Sequence, residues 1–288
     1  MPYGFPSGHD LYKEICTGLT QVNEFDWREK LIELGVRDYE NIIRFSKSLF
    51  FSGMKSIDSF LEHRPEFMEI GKLCICLSLI PREQEARLFS LKERHRSWYE
   101  YLFNCLLTTN IADFFENRLS IITFNYDRSL EHYLYTTIKN TFGIKNEAKI
   151  IEIMKHFSII HVYGQLGSLP WQKPVYRPYS PSASNLQIIE ASKQIKLLSD
   201  KEESSVAFRK AFMRLSVSKR ILILGFGYDS MNLRRLQLGR LRECIIRGTS
   251  YKLGNAEVRA IKEVGNNIRI AKSRLDIMNF FKEEVPLN

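Results

Sequence analysis

"RLSIITFNYD" (residues 118–127) is the stretch that decides the fold class. A short β-branched run ends on a side-chain amide and a carboxylate, Asn125 and Asp127, and the helical spacing of "RSLEHYLYTTIKN" begins at once. A continuous apolar run of this length, bounded by turn residues, reads as a buried strand; a strand that hands directly to a helix reads as one step of an α/β unit. Four further runs repeat the arrangement: "SIIHVYG" (158–164), "RILILGFG" (220–227), "RECIIRG" (242–248) and "NIRIA" (267–271). Short buried strands separated by helices predict a parallel α/β sheet.

Upstream of this region the pattern changes. From Asp10 to about Asn117 the apolar residues recur at three and four, as in "DYENIIRFSKSLFFSG" (Tyr39, Ile42, Ile43, Phe45, Leu49, Phe50) and "SWYEYLFNCLLTTNIADFFEN" (Tyr99, Leu102, Phe103, Leu106, Leu107). That spacing predicts amphipathic helices and no strand. The division expected is a short leading segment over 1–19, a helical insertion over 20–117 and a strand-bearing core over 118–288, together one composite domain. Residues 165–186, "QLGSLPWQKPVYRPYSPSASNL", form the one long Pro/Ser-rich connection, a length that usually marks a functional loop. No fixed-period repeat is present.

Composition narrows the class. Of 288 residues 44% are hydrophobic and 26% charged, which argues for a globular chain and against disorder. The longest apolar runs, "ILILGFG" and "LCICLSLI", fall well short of the roughly 20 residues of a membrane-spanning helix. No basic-then-apolar leader opens the sequence, and five scattered cysteines fit reduced thiols better than a disulfide framework, so a cytoplasmic protein is expected. The net charge of +9 is spread over "KERHR" (92–96), "VSKR" (217–220) and "RRLQLGRLREC" (234–244). Solvated helix faces explain it; an anionic dinucleotide fits it equally, and nucleic acid is weakly supported.

In a doubly wound sheet ligands sit at the carboxyl ends of the strands, so the residues just after each strand are the candidates. The first strand ends in Asn125 and Asp127, where Asp127 has the simpler reading of a helix cap. The second ends in His161, followed by a turn with Gly164; His161 is the group able to act as a base near neutral pH, beside Asn125. The remaining histidines, His9, His63, His95, His132 and His156, read as structural or exposed. The third strand ends in Gly225-Phe226-Gly227-Tyr228-Asp229, where two glycines allow a phosphate or ribose to approach the backbone; the plainer reading is a tight turn with Asp229 or Ser230 capping the next helix.

Taken in order, "IITFNYDRSLEHYL" (121–134), "IIHVYGQLGSLPW" (159–171), "ILILGFGYDSMNLRRL" (221–236) and "RGTSYKLGNAEVRAI" (247–261) resemble the sirtuin-like family of NAD-consuming domains, in particular its prokaryotic branch with NAD hydrolases of antiviral defence. The resemblance covers 118–284 and extends weakly to "SIDSFLEHRPEFMEIGK" (56–72). It implies a Rossmann-like fold with helices on both faces and hydrolysis of NAD to nicotinamide and ADP-ribose. By the same resemblance Asn125 binds the nicotinamide ribose and orients the attacking water, His161 takes a proton from a ribose hydroxyl or that water, and Asp127 fixes the pyridinium side or the turn. Gly225, Gly227 and Tyr228 line the adenosine half, with Gly248, Thr249 and Ser250 further along, and Gly164 is a further cofactor-binding residue. Control through a homo-oligomer or a companion defence protein is also implied.

Two departures from the family stand out. "PYGFPSG" (2–8), with Pro6 and Gly8 among its nucleotide-facing residues, follows a first strand and a glycine-rich phosphate loop in that family, and neither is in this sequence. The resemblance therefore implies that Met1 is an internal methionine of a fragment or a misassigned start, or that the chain is a natural truncation, and that it binds NAD poorly as written. The family's deacylases also hold zinc by paired Cys-x-x-Cys motifs, whereas Cys74 and Cys76 are a lone Cys-x-Cys. A zinc site built wholly from cysteine thiolates is not expected, and cleavage of NAD without a peptide acceptor is favoured over deacylation or ADP-ribosyl transfer. A non-catalytic module that binds NAD or ADP-ribose is the alternative of a different class.

Overall fold

Side-chain caps start five of the helices described in the first 117 residues. Asp26, Asp38, Ser56, Ser97 and Asn110 each accept a hydrogen bond from a backbone N–H in the first turn that follows. In helix Tyr39–Phe50 the residues Ile42, Phe45 and Leu49 are buried, while Tyr39 and Phe50 of the same sequence pattern face outward. Helix Met68–Leu79 is buried almost along its whole length and packs against helices Gly8–Thr20, Trp27–Glu33, Ile57–His63 and Asn185–Gln194. A helix apolar all round belongs at the centre of a bundle, and here it takes that place. Cys74 and Cys76 lie on it, both buried, and burial pushes the Cys76 thiol up to about 12.

The computed structural model describes all residues except 1–2, 21–25, 173–175, 198–200, 242, 252, 265–267, 272–273 and 286–288, along with the backbone alone at 93, 95, 201–205 and 264. Met1, the strand-opening Arg242 and Asn267, part of the 165–186 loop and the side chain of His95 therefore lie outside the described residues. No described helix is long and apolar enough to cross a membrane.

Among the described residues five strands follow the helical region, all after residue 117 as the sequence predicts. β1 (Ser120–Thr123) pairs in parallel with β2 (Ser158–His161), with Thr123 opposite His161. β3 (Arg220–Ile223), β4 (Ile245–Gly248) and β5 (Ile268–Ile270) form a second parallel sheet in that order. The expectation of one parallel sheet is thus met in part: every pairing is parallel, but β1 and β3 are edges of two separate small sheets. Ile121, Ile122, Ile159, Ile160, Leu222 and Ile223 are only half-buried, where strands covered on both faces would hide them fully. The apolar runs of the sequence also extend beyond the four-residue ladders, because a ladder lasts only as long as a neighbour supplies hydrogen bonds.

One continuous buried cluster nevertheless runs from Tyr3 to Ile268, so helices and strands share a core. Tyr3 stacks on Tyr99 with ring centroids 3.9 Å apart, and its hydroxyl accepts from the Tyr99 backbone N–H at 3.0 Å. The turn that follows needs Gly4: φ is +79°, and a Cβ there would meet the Arg87 guanidinium at 2.2 Å. Pro6 and Gly8 come next in this docked segment, with Gly8 opening helix Gly8–Thr20 and Ser7 bonding the Asp10 backbone N–H at 3.2 Å.

At the centre of the molecule three charges are buried together. Glu83 bridges Arg128 and Arg177, and all three side chains are at most 2% exposed. Arg128 donates through Nε to Glu83 at 2.9 Å and through Nη1 to the Arg177 carbonyl at 2.9 Å, while Arg177 donates to the Ser180 carbonyl at 3.0 Å. Leu166 adds a backbone bond to the Tyr126 carbonyl at 2.9 Å. The described part of the 165–186 loop is therefore fastened both to the turn after β1 and to the helical region.

Candidate functional site

The parallel register of β1 and β2 brings their carboxyl ends side by side. Asn125 and His161, 36 positions apart in sequence, meet there: His161 Nδ1 lies 2.8 Å from the Asn125 carbonyl oxygen. The Asn125 backbone N–H donates to Thr123 Oγ1 at 3.0 Å, and its side chain is exposed. The His161 side chain, in contrast, is only 7% exposed, with Nε2 at 2.5 Å from Glu131 Oε1. Burial pulls the imidazole down, but the Glu131 carboxylate, the Asn125 carbonyl and Asp127 outweigh it and hold the ring above its ordinary value.

Asp127 acts locally at this turn but is not the helix N-cap its plainer sequence reading gave it: that position is taken by Arg128, one residue on, without a side-chain cap bond. The Asp127 carboxylate accepts from the Ser129 backbone N–H at 3.2 Å and from the Ser129 hydroxyl, fixing the entry to helix Ser129–Thr141. Burial pushes its carboxyl up, partly offset by Ser129. Ser129 in turn bonds Tyr99 at 2.7 Å between hydroxyls, and the Tyr126 hydroxyl donates to the half-buried Asp58. The helical region thus braces the site from below.

A second group of candidates gathers at the ends of β3 and β4. Gly225 has φ +60° and donates its N–H to Thr249 Oγ1 at 2.9 Å. Tyr228, itself at φ +52°, donates its hydroxyl to the Thr249 carbonyl at 2.8 Å and lies across Gly248, where a Cβ would come within 2.0 Å of the Tyr228 oxygen. Gly227 is exposed with open space where a Cβ would stand, Ser250 is buried, and Asp229 caps helix Ser230–Arg235. Phe124 and Phe226 connect the two groups with ring centroids 4.8 Å apart, and Arg235 donates to the Tyr163 hydroxyl at 3.0 Å.

Gly164 does a different job from the other glycines. It forms an isolated antiparallel bridge with Ile195, has φ +72°, and a Cβ would stand 1.9 Å from the Gln194 carbonyl oxygen. It closes the loop that leads into helix Asn185–Gln194. Gly164→Ala is expected to destabilise the fold by about 1–3 kcal/mol, from left-handed strain with a backbone clash in addition, measured as a lower urea midpoint with unchanged slope.

The other histidines whose side chains engage partners do so structurally. His63 bonds the Ser59 carbonyl, His156 the Asn117 carbonyl, and His132 bonds Glu85 while stacking on Tyr179 at 4.4 Å. Among the described residues no group of three or more His, Cys, Asp and Glu is arranged to hold a metal ion. Cavities of about 90 Å³, beside Tyr3 and Arg87, and about 250 Å³, beside Leu215 and Leu241, open elsewhere and are not lined by Asn125, His161 or Gly225.

Sequence reasoning missed Glu131, Glu83 and Arg177. The first left a trace: Glu131 falls in line with Leu134 and Ile138, both fully buried, so a charge stood on the apolar face of its helix. The raised value of His161 carries a pH consequence. Its contribution to stability is present in full below the unfolded value of about 6.5 and is lost as pH rises through the higher folded value. The stability gap between the natural chain and His161→Gln, followed by urea unfolding across that range, should narrow as pH rises.

Compared with known proteins, the chain matches no family model, no curated protein and no solved structure.

Proposed function

We propose that this chain carries the ribose-binding end of an NAD-cleaving site and that its parent reaction is hydrolysis of the nicotinamide–ribose bond in the cytoplasm. One observation supports the reading above the others: an exposed Asn125 and a buried His161 meet at the carboxyl ends of two paired parallel strands, where α/β sheets hold their ligands. The sequence resemblance to sirtuin-like NAD hydrolases names the chemistry. Water adds to the ribose carbon, nicotinamide departs with the bonding electron pair and so neutralises its pyridinium nitrogen, and the proton of the water passes to solvent. No strong acid is required for such a leaving group; holding the ribose and orienting water is the main task.

In this reading the two sheets are halves of one Rossmann-like, doubly wound sheet. β2-β1 form one half and β3-β4-β5 the other, with β1 and β3 as its inner edges. The Phe124–Phe226 contact and the bond from Arg235 to Tyr163 tie the halves together at their carboxyl ends. Gly225, Gly227, Tyr228, Gly248, Thr249 and Ser250 then line the adenosine half, and zinc has no part in the chemistry.

A second reading is favoured by one specific observation. Both ring nitrogens of His161 are engaged and its side chain is nearly inaccessible. A module that binds NAD or ADP-ribose without turning it over needs no free base. Nicotinamide release from NAD, followed by chromatography, separates the two: release with ADP-ribose formation supports hydrolysis, and calorimetric binding without release supports the sensing module. Neither binding nor release, with the fold intact, would overturn both.

A further inference from the structure

His161 stands between two oxygen atoms of different kinds. On one side is the Asn125 backbone carbonyl, 2.8 Å from Nδ1, and on the other the Glu131 carboxylate, 2.5 Å from Nε2. A carbonyl oxygen only accepts, and so does an ionised carboxylate. Neutral imidazole has a single N–H and can satisfy one of them. Satisfying both with Glu131 ionised requires a proton on each nitrogen.

We infer that Glu131 is the positioning residue for His161: it clamps the ring as an imidazolium whose second N–H holds the Asn125 carbonyl. Helix Ser129–Thr141, which supplies Glu131, is thereby locked across the end of β2 to the turn that presents Asn125. His161 has no lone pair free in this state to take a proton from water or ribose. Its role is to fix the Asn125 turn, and the exposed Asn125 amide is the group left to meet a ligand.

The surroundings favour the charged pair. Asp127, on the turn before the same helix, is a second acidic group whose charge favours the imidazolium. Glu131 is 4% exposed and His161 equally hidden, so water does not screen the pair. Breaking one side of such a pair strands the other charge. The functional significance of the clasp rests on the NAD-cleaving reading; the clasp itself does not.

Nitrogen-15 NMR of the histidine rings in the full chain tests it without any turnover. The expected result is that both His161 nitrogens give imidazolium signals at neutral pH and keep them as pH rises past the ordinary histidine range, near 6.5. In Glu131→Gln the loss of imidazolium signal should shift to lower pH, and Glu131→Asp should restore part of the natural behaviour. A neutral ring at pH 7 in the natural chain, with Nε2 accepting from a protonated Glu131, would overturn the inference, as would an unshifted titration in a folded Glu131→Gln. Nicotinamide release measured on the same samples keeps the two claims apart: imidazolium signals without release remove the NAD reading and leave the clasp, and release with a neutral ring does the reverse.

Discussion

Glu83→Gln should destabilise the protein by about 3–5 kcal/mol, because it leaves two buried guanidinium groups without a countercharge. Arg128 and Arg177 share the one carboxylate, and all three side chains are hidden from water. Taking an arginine out of water costs several kcal/mol even after relaxation, and only the carboxylate and the loop carbonyls offset it. In a chain of this size the loss corresponds to a fall in Tm of roughly 5–8 °C, readable by calorimetry. Arg177→Met should be milder, since it leaves a neutral Arg128–Glu83 pair. Combining Glu83→Gln with Arg177→Met should recover part of the loss by removing one stranded cation. A Glu83→Gln protein within about 1 kcal/mol of the natural chain would show that the carbonyls alone hold both arginines, at odds with the penalty for an unpaired buried charge.

Asn125→Ala is expected to lower nicotinamide release by roughly 10²–10³-fold, the usual effect of deleting one preorganised hydrogen-bonding group at a reacting centre. The fold should be nearly unaffected, within about 0.5 kcal/mol, because the side chain is exposed and the turn is held by the backbone bond to Thr123 and by His161. This separation of activity from stability is the useful feature of the variant. His161→Ala offers no such separation, since it removes the partner of a buried carboxylate and should lower stability and turnover together. If Asn125→Ala releases nicotinamide at the natural rate, Asn125 has no part in the reaction and the site lies elsewhere.

Much of the candidate site was legible because its parts sit at strand ends. A β-branched run stopping at a polar residue or a glycine gives the same signal wherever it occurs, and Asn125, His161 and Gly225 were all found in this way. Their grouping followed once β1 was paired with β2 and β3 with β4. A local role for Asp127 was legible as well, but displaced by one residue: its carboxylate holds the Ser129 N–H, while Arg128 occupies the N-cap position. Gly164 was legible as a turn glycine, but not its closure on Ile195, which lies beyond a long loop.

Other features left little local trace. Glu83 and Arg177 are 94 positions apart and each reads as an ordinary surface charge. The expected single sheet became two because strand pairing is a long-range matter. A run of isoleucines reports that it wants burial on a pleated surface and does not report which neighbour provides it.

By itself, then, the sequence determined what short-range physics determines: a helical first part, parallel strands alternating with helices after residue 117, the caps that start the helices, and the polar residues and glycines that end the strands. Spacing of apolar residues and capping chemistry act over a few positions, so one chain is enough to read them. The tertiary structure alone decided that Glu131 grips His161, that Glu83 joins two arginines from the strand-bearing part to the helices, and that the strands settle into two sheets. Those outcomes depend on which distant atoms are brought within about 3 Å of one another, and hydrogen bonds and buried charges are decided at that distance.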